Sequence, residues 1–139
     1  MTRRLFVLGC SALPLLADSA SEAWDVIAAM AAALAEDNPP GFMKPIDMKL
    51  PAYDTLARDV EGMLAQSEAQ SGINMVSNEG DDFARTITVE WELRLKRKGT
   101  DLRMDVRRQG VTVKLVRDRK RWTVISLDPI SLFAPPNFR

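Results

Sequence analysis

Alternating apolar and polar residues mark the second half of this chain as a β-sheet. Across residues 86–95 the odd positions are apolar and the even positions are polar, which is the period of a strand with one buried and one solvated face. Two strand-like runs follow at residues 102–116 and 121–127, and a shorter one precedes at residues 73–78. Short turn sequences separate these runs, so they predict an antiparallel sheet connected by hairpins.

The run at residues 102–116 changes phase along its length. Its first apolar residues occupy even positions and its later ones occupy odd positions: Leu102, Met104 and Val106, then Val111, Val113 and Leu115. A strand that keeps one buried face must absorb one extra residue between these sets. The sequence therefore predicts a β-bulge at residues 107–110, which would curve the sheet.

Apolar residues at helical spacing predict two helices upstream, at about residues 21–36 and 54–68. The prolines at 39 and 40 end the first helix. The connector at residues 42–52 carries too many apolar residues for a free linker, and we expect it to fold back over one end of the domain. The predicted class is α+β. N-terminal helices pack on the concave face of a curved, antiparallel sheet of four or more strands, forming a cone-like roll as a single domain at residues 21–139.

The N-terminus has the pattern of an export signal. The basic start is followed by an apolar stretch at residues 5–17 that is too short to span a bilayer. Residues 2–7, Thr-Arg-Arg-Leu-Phe-Val, resemble a twin-arginine signal. We predict a signal peptide at residues 1–20, with cleavage after Ser19, Ser21 or Ala23, and a bacterial protein exported to the periplasm or medium. The alternatives are an ordinary first helix or strand, and a lipoprotein anchored through Cys10.

Composition narrows the chemistry. The 139 residues include no histidine and one cysteine, which removes the commonest general base and metal ligand and any intrachain disulfide. We therefore predict no metal site and no cofactor. The net charge is zero, yet residues 94–121 hold twelve Lys/Arg against three Asp/Glu, and the remainder from residue 24 holds five against fourteen. The sheet-forming half is basic and the helix-forming half is acidic.

A connector pattern and the order of elements together resemble a known family. Phe42, Ile46, Asp47, Pro51 and Tyr53 follow the spacing Phe-x-x-x-Ile-Asp…Pro-x-Tyr. With helices first and a bent hairpin sheet after them, this chain is similar to the nuclear transport factor 2-like (NTF2-like) superfamily, which includes the SnoaL-like proteins. The resemblance implies a cone whose mouth often holds a pocket, in a fold that serves isomerases, dehydratases, cyclases, ligand carriers and non-catalytic assembly modules.

The resemblance also implies candidate site residues. Enzymes of this layout typically use a pocket Asp with a Tyr or a His, and this chain has no His. Asp47 and Tyr53 are therefore the candidate catalytic pair, although an Asp in such a connector more often caps a turn. If the cone holds a small apolar ligand, its lining is expected from four residues: Trp91, Trp122, Met104 and Tyr53. The alternative is that these side chains are ordinary core.

Six cations are expected on the solvent side of the sheet: Arg94, Lys96, Lys98, Arg103, Lys114 and Arg121. Such a face could dock an acidic protein or an anionic surface. Without interleaved aromatics it does not predict nucleic-acid binding, and like charges would oppose a homodimer formed by two such faces. The alternative is an ordinary solvated face with protective charges.

These observations favour an exported, non-catalytic module that binds a small molecule or a protein. One alternative is a SnoaL-like isomerase, cyclase or dehydratase that uses Asp47 and Tyr53. The other is an assembly module that docks an acidic partner through the basic sheet face.

Overall fold

The alternating run of residues 86–95 lies in the second strand of a four-stranded sheet. A computed structural model of the protein describes residues 12–99 and 103–138, with side chains from residue 19 onward. The elements are, in order, α1 Ala12–Ala35, α2 Pro39–Met43, α3 Tyr53–Gln66, β1 Ser67–Gly80, β2 Ala84–Arg97, β3 Met104–Asp118, β4 Arg121–Asp128 and a short 3-10 helix, Ile130–Phe133. The strands are antiparallel in the order β1-β2-β3-β4. The predicted α+β class is confirmed, with helices packed on the curved sheet.

Strict alternation places the apolar side chains of β2 on the helical side. Ile87, Val89, Trp91, Leu93 and Leu95 are all fully buried. They meet the apolar stripes of the two long helices, which bury residues such as Ile27, Leu34, Val60 and Met63. Burial of this single apolar face supplies the main driving force for folding.

Two elements were underestimated from the sequence. β1 spans Ser67–Gly80, whereas only residues 73–78 were predicted, because its polar and small residues carry little apolar period. α2 was not predicted, since two prolines suggested only an ending. Proline fits the first turn of a helix, and the side chain of Asn38 accepts the Gly41 backbone N–H at 3.1 Å as its N-cap.

The predicted bulge at residues 107–110 is wrong. β2 and β3 pair without interruption from Leu93↔Arg107 to Glu90↔Gly110. The register shifts instead lie between Met75 and Ser77 in β1 and in the pairing of β4 with β3 beside Leu115. The two faces of β3 exchange character along its length: Met104 and Val106 lie on the outer face, 51% and 55% exposed.

The inner face of β3 accommodates charge because that charge is fully partnered. The Arg107 guanidinium lies 2.9 Å from the Asp105 carboxylate. It also donates to the backbone carbonyls of Leu132 and Ala134 at 2.7 and 2.6 Å. A partly buried cation with this set of acceptors is stable, and it fixes the C-terminal segment against the sheet. That segment continues across α3, where a Cβ added to Gly62 would lie 3.2 Å from Pro135.

The turn between β1 and β2 is tied to the first helix. The buried Arg85 donates to the side chain and carbonyl of Asn78 and to the Asp81 carbonyl. Asn78 donates to the Ala20 carbonyl at 3.1 Å, and Ser19 Oγ donates to Asp82 at 2.8 Å. α1 therefore continues through the region of predicted signal cleavage. The twin-arginine pattern and Cys10 lie outside the described residues, so the signal peptide stays a prediction.

Candidate binding site

Aromatic side chains occupy the interior of the cone. Trp91, at the centre of β2, has no exposed surface, and its Nε1 donates to Ser71 Oγ at 2.9 Å. Phe133 packs edge-on against it with ring centroids 5.1 Å apart, and Phe42 lies 5.0 Å from Phe133. These three rings come from β2, the C-terminal segment and α2. Trp91, proposed from the sequence as a ligand contact, is a packed core residue in this structure.

The candidate catalytic pair lies at separate points of the connector. Asp47 Oδ1 accepts the backbone N–H of Lys49 at 2.8 Å, so the carboxylate closes a local turn. The backbone of the same turn pairs with β4, where Asp47 N–H donates to the Val124 carbonyl at 2.9 Å. Tyr53 begins α3 and packs partly buried against the core. Within the described part of the chain no hydrogen bond joins the two side chains, and their catalytic role stays a prediction.

The other two residues expected in the ligand lining lie at the periphery. Met104 was expected on the inner face, but the regular register of β3 places it on the outer one. Trp122 is nearly buried where β4 begins, and its Nε1 donates to Glu22 at 3.3 Å. The Arg117 guanidinium lies 6.0 Å from the centre of its ring. Trp122 therefore anchors α1 to β4.

The six cations are all exposed but do not form one face. The strand register places Arg94, Lys96 and Lys114 on the outer side of the sheet. Lys98 lies beyond the end of β2, with its Nζ 3.6 Å from Asp37 after α1. Arg103 donates to the Phe138 carbonyl in the C-terminal tail, and Arg121 starts the edge strand β4.

The outer face is mixed in charge rather than uniformly basic. Glu92 forms salt bridges with two arginines on this face, Arg94 at 3.7 Å and Arg108 at 3.5 Å. Glu68 lies opposite Lys96 in the register of β1 and β2. Two outer faces would therefore repel each other less strongly than the sequence implied.

The structure brings four of the predicted residues to one cavity at the free edge of β1. This space of about 380 Å³, the edge cavity, is bordered by Arg94, Lys96, Lys98 and Met104. Its apolar wall comes from Leu34 at the end of α1, Leu64 at the end of α3 and Ala69 in β1. Two acids, Asp37 and Glu68, also border it. Within residues 19–99 and 103–138, Lys96 forms no salt bridge, whereas Arg94 and Lys98 each have an acidic neighbour.

The sequence did not single out the apolar wall of this cavity. Leu34 and Leu64 carry the helical period of core residues, and Ala69 lies in a strand whose start was missed. They meet only because α3 leads directly into β1 and α1 ends beside that edge. The described residues contain no group of three or more potential metal ligands. None of the described helices is long and apolar enough to cross a membrane.

Comparisons with known proteins address the fold. The sequence matches no family model and no curated protein. Among solved structures, an NTF2-like superfamily protein from Salmonella enterica matches with a TM-score of 0.62 and 8% identity, over 88% of this chain and 95% of that one. An NTF2-like protein of unknown function from Shewanella oneidensis gives 0.58 and 11%, over 80% and 95%. A candidate aromatic ring hydroxylase from Novosphingobium aromaticivorans gives 0.63 and 12%, over 79% and 86%.

The fold is NTF2-like.

The structural matches establish the fold, and sequence identities of 8–12% leave the activity open. Within this NTF2-like cone, the space between helices and sheet is occupied by Trp91, Phe133 and Phe42. The edge cavity lies outside that space, around the free edge of β1. A candidate site for this chain is therefore argued from the edge cavity and its own side chains.

Proposed function

We propose that this NTF2-like chain is a non-catalytic binding module whose edge cavity takes a small organic anion with an apolar body. One observation carries the proposal: the cone is occupied by its own aromatic side chains, whereas the edge cavity combines three cations with an apolar wall. Ligand sites generally combine apolar surface with a few charged groups that orient the ligand. The edge cavity has both.

The apolar wall determines the body of the ligand. Leu34 and Leu64 are almost completely buried and support this wall from behind, so its accessible hydrocarbon belongs to Ala69, which is half-buried, and to Met104, which is 51% exposed. An alkyl or aromatic group placed against them would leave water at a gain of about 25 cal/mol per Å². A volume of about 380 Å³ lies within the range of small-molecule sites, roughly 300–1,000 Å³.

The cations determine the head group. Lys96 is the available charge, because within the described residues no acid forms a salt bridge with it, and Arg94 and Lys98 can turn from Glu92 and Asp37 toward a ligand. All three are exposed, so their attraction for an anion is screened by salt. Asp37 and Glu68 disfavour a highly charged ligand. A single carboxylate therefore fits this cavity better than a polyphosphate.

The test uses decanoate, with decanol as its uncharged counterpart, in ligand-observed NMR titrations. At about 0.3 kcal/mol per non-hydrogen atom, decanoate should bind with a Kd of about 2 mM. Replacing Lys96→Gln should weaken that binding about five-fold, consistent with the loss of one exposed charge contact of about 1 kcal/mol. Lys114→Gln removes an exposed cation from the same face outside the cavity and should leave the Kd unchanged.

Three outcomes would count against the proposal. They are the absence of decanoate binding, equal binding of decanol, and an equal loss in the Lys96 and Lys114 variants. The first removes the apolar wall as a binding surface. The second removes the cations from recognition, and the third reduces the effect to net charge.

We also propose export, on the support of residues 2–7 and the apolar stretch that follows them. Residues 1–30 fused to a reporter that folds before export should carry it out of the bacterial cytoplasm. Replacing both arginines by lysine, Arg3→Lys with Arg4→Lys, should block this transport if the signal is of the twin-arginine type. Transport that is insensitive to the double replacement would indicate a different signal, and no transport would remove the export proposal.

A further inference from the structure

Two neighbouring turns at the β4 edge carry five exposed cations and one exposed methionine. The first turn follows α2 and carries Lys44 and Lys49, and the second joins β3 to β4. The sequence of the second turn, residues 118–121, is Asp-Arg-Lys-Arg. We call this surface the basic corner, defined by Lys44, Met48, Lys49, Arg119, Lys120 and Arg121.

Contacts of the fold hold the two turns side by side. The Pro45 carbonyl accepts the Val124 N–H at 2.8 Å, and the Asp47 N–H donates to the Val124 carbonyl at 2.9 Å. Ile46 is buried and anchors the first turn to β4. A groove of about 310 Å³ lies between the turns, bordered by Lys44, Met48 and Arg121. The corner is thus presented by a backbone that is fixed on both sides.

The cations of the corner are free to meet a partner. All five are exposed, and none forms a salt bridge within residues 19–99 and 103–138. The two acids in these turns are Asp47 and Asp118, so the local balance is three positive charges. Asp47 already accepts the Lys49 backbone N–H. An anionic surface is the complement of such a charge set.

The exposed side chain of Met48 indicates which kind of anionic surface the basic corner binds. Its side chain is 77% exposed, the highest value among the large hydrophobic residues of the described chain. It lies in the turn between Asp47 and Lys49, and it borders the groove together with Lys44, Arg121 and Asp118. An exposed apolar side chain beside cations fits the boundary between lipid headgroups and acyl chains, where apolar groups insert and basic groups contact anionic lipids.

We propose that the basic corner is a docking surface for an anionic lipid bilayer, with Met48 inserting at the interface and the five cations contacting headgroups. This inference is independent of the edge cavity, which lies at the opposite, β1 edge of the sheet. The chain would bind reversibly and weakly, because a single apolar side chain adds little insertion energy. Binding should require anionic lipid and weaken as ionic strength rises.

The experiment is co-sedimentation of the full chain with vesicles of phosphatidylcholine containing 30% phosphatidylglycerol, beside pure phosphatidylcholine vesicles. We expect binding to the anionic vesicles alone, and at least a ten-fold loss of the partition coefficient for Lys44→Glu with Lys120→Glu. The matched control, Arg108→Glu with Lys114→Glu, changes net charge equally on the outer sheet face and should lose less than three-fold. Met48→Asp should lose at least three-fold, whereas Val106→Asp, at an exposed apolar residue on the outer sheet face, should bind normally.

Three results would contradict membrane docking at the basic corner. Equal losses in the two charge-reversal pairs would reduce the effect to net charge and overturn the corner as a site. Binding to phosphatidylcholine alone would remove the cations from the account. Tighter binding to polyglutamate than to anionic vesicles, with Met48→Asp unaffected, would make the partner an acidic macromolecule and overturn the membrane inference.

Discussion

Strand β2 contributes to both the cone interior and the edge cavity, but the two regions differ in side-chain chemistry and in exposure. The interior holds aromatic rings from three elements that contact each other at 5.0 to 6.4 Å. The edge cavity holds exposed cations and an apolar wall without a filling side chain. Odd residues of β2 such as Trp91 and Leu93 build the interior, and even residues such as Arg94 and Lys96 border the cavity. One alternating strand thus separates a stabilising surface from a surface available for binding.

This difference shows why the NTF2-like layout alone does not locate a site. The resemblance implied a pocket in the cone, where this chain has Trp91, Phe42 and Phe133. The interior should therefore carry stability, and the rim should tolerate substitution without unfolding. Substitutions at Trp91 and Arg107, each compared with a residue on the outer face, test that division, and substitutions at Gly80 and Asp81 test the turn that ends β1.

The largest expected effect is at the centre of the interior. Trp91→Ala should reduce the free energy of unfolding by about 3–5 kcal/mol, because it leaves a cavity beside two phenylalanines. Chemical denaturation measures this change. Lys96→Ala, five residues along the same strand at the rim, should change stability by less than about 0.5 kcal/mol. Similar losses in both variants would contradict the division between interior and rim.

The second-largest loss of stability is expected at Arg107, the cation on the inner face of β3. Arg107→Met removes the partner of Asp105 and of two backbone carbonyls, and should cost about 1–3 kcal/mol because partly buried acceptors lose their donor. Arg108→Met, one residue along on the outer face, removes only an exposed contact with Glu92. It should cost less than about 1 kcal/mol. Denaturation of the two variants in parallel decides the comparison, and a neutral Arg107 variant would refute the role of that clamp.

The tight turn that ends β1 predicts a backbone effect. Gly80 has a φ of 142°, and an added Cβ would lie 2.1 Å from the Ala84 carbonyl oxygen. Gly80→Ala should therefore cost about 1–3 kcal/mol in strain. Gly110→Ala is the matched control, since a Cβ there meets nothing within 4 Å, and it should be close to neutral. Thermal unfolding of both variants is the measurement, and equal midpoints would contradict the turn geometry.

The smallest predicted effect is a pH dependence at the same turn. The backbone N–H groups of Phe83 and then Ala84, with a smaller contribution from Arg85, hold the pKa of the Asp81 carboxyl below its usual range. A depressed folded pKa contributes stability above the unfolded value, about 3.9, which is lost as pH falls through the folded pKa. The stability difference between the wild type and Asp81→Asn should therefore shrink as the pH is lowered from 6 to 3. A constant difference would remove Asp81 from the acid response.

The sequence predicted the parts of the fold in which one period dominates. Residues 86–95 alternate strictly, and β2 has the face assignment that this pattern predicts. The phase change in β3 was misread as a bulge. Periodicity alone does not distinguish an inserted residue from an inner face that turns polar. The inward Arg107 is stabilised by the nearby Asp105 and by the carbonyls of Leu132 and Ala134, which lie about 25 residues away in the chain.

The candidate sites could be predicted in part. The alternation of residues in the strands predicted that the cations are exposed. It did not predict which residues lie beside them. Lys96 borders the same cavity as Leu34 and Leu64 because the chain passes from α3 into β1 without a loop. Lys44 meets Arg121 because the Pro45–Asp47 backbone pairs with Val124. Both arrangements depend on contacts between distant segments, which no local pattern in the sequence records.

A map of the residues that an organic anion contacts would distinguish binding in the edge cavity from binding in the cone interior. Decanoate titrated into ¹⁵N-labelled protein should shift the backbone amide signals around Leu64–Gln70 and Arg94–Lys98, the segments that border the edge cavity. The signals of Trp91 and Phe133, including the Trp91 indole N–H that is bonded to Ser71, should remain in place. Shifts centred on Trp91 and Phe133 would show that the cone opens to ligand and would contradict the account.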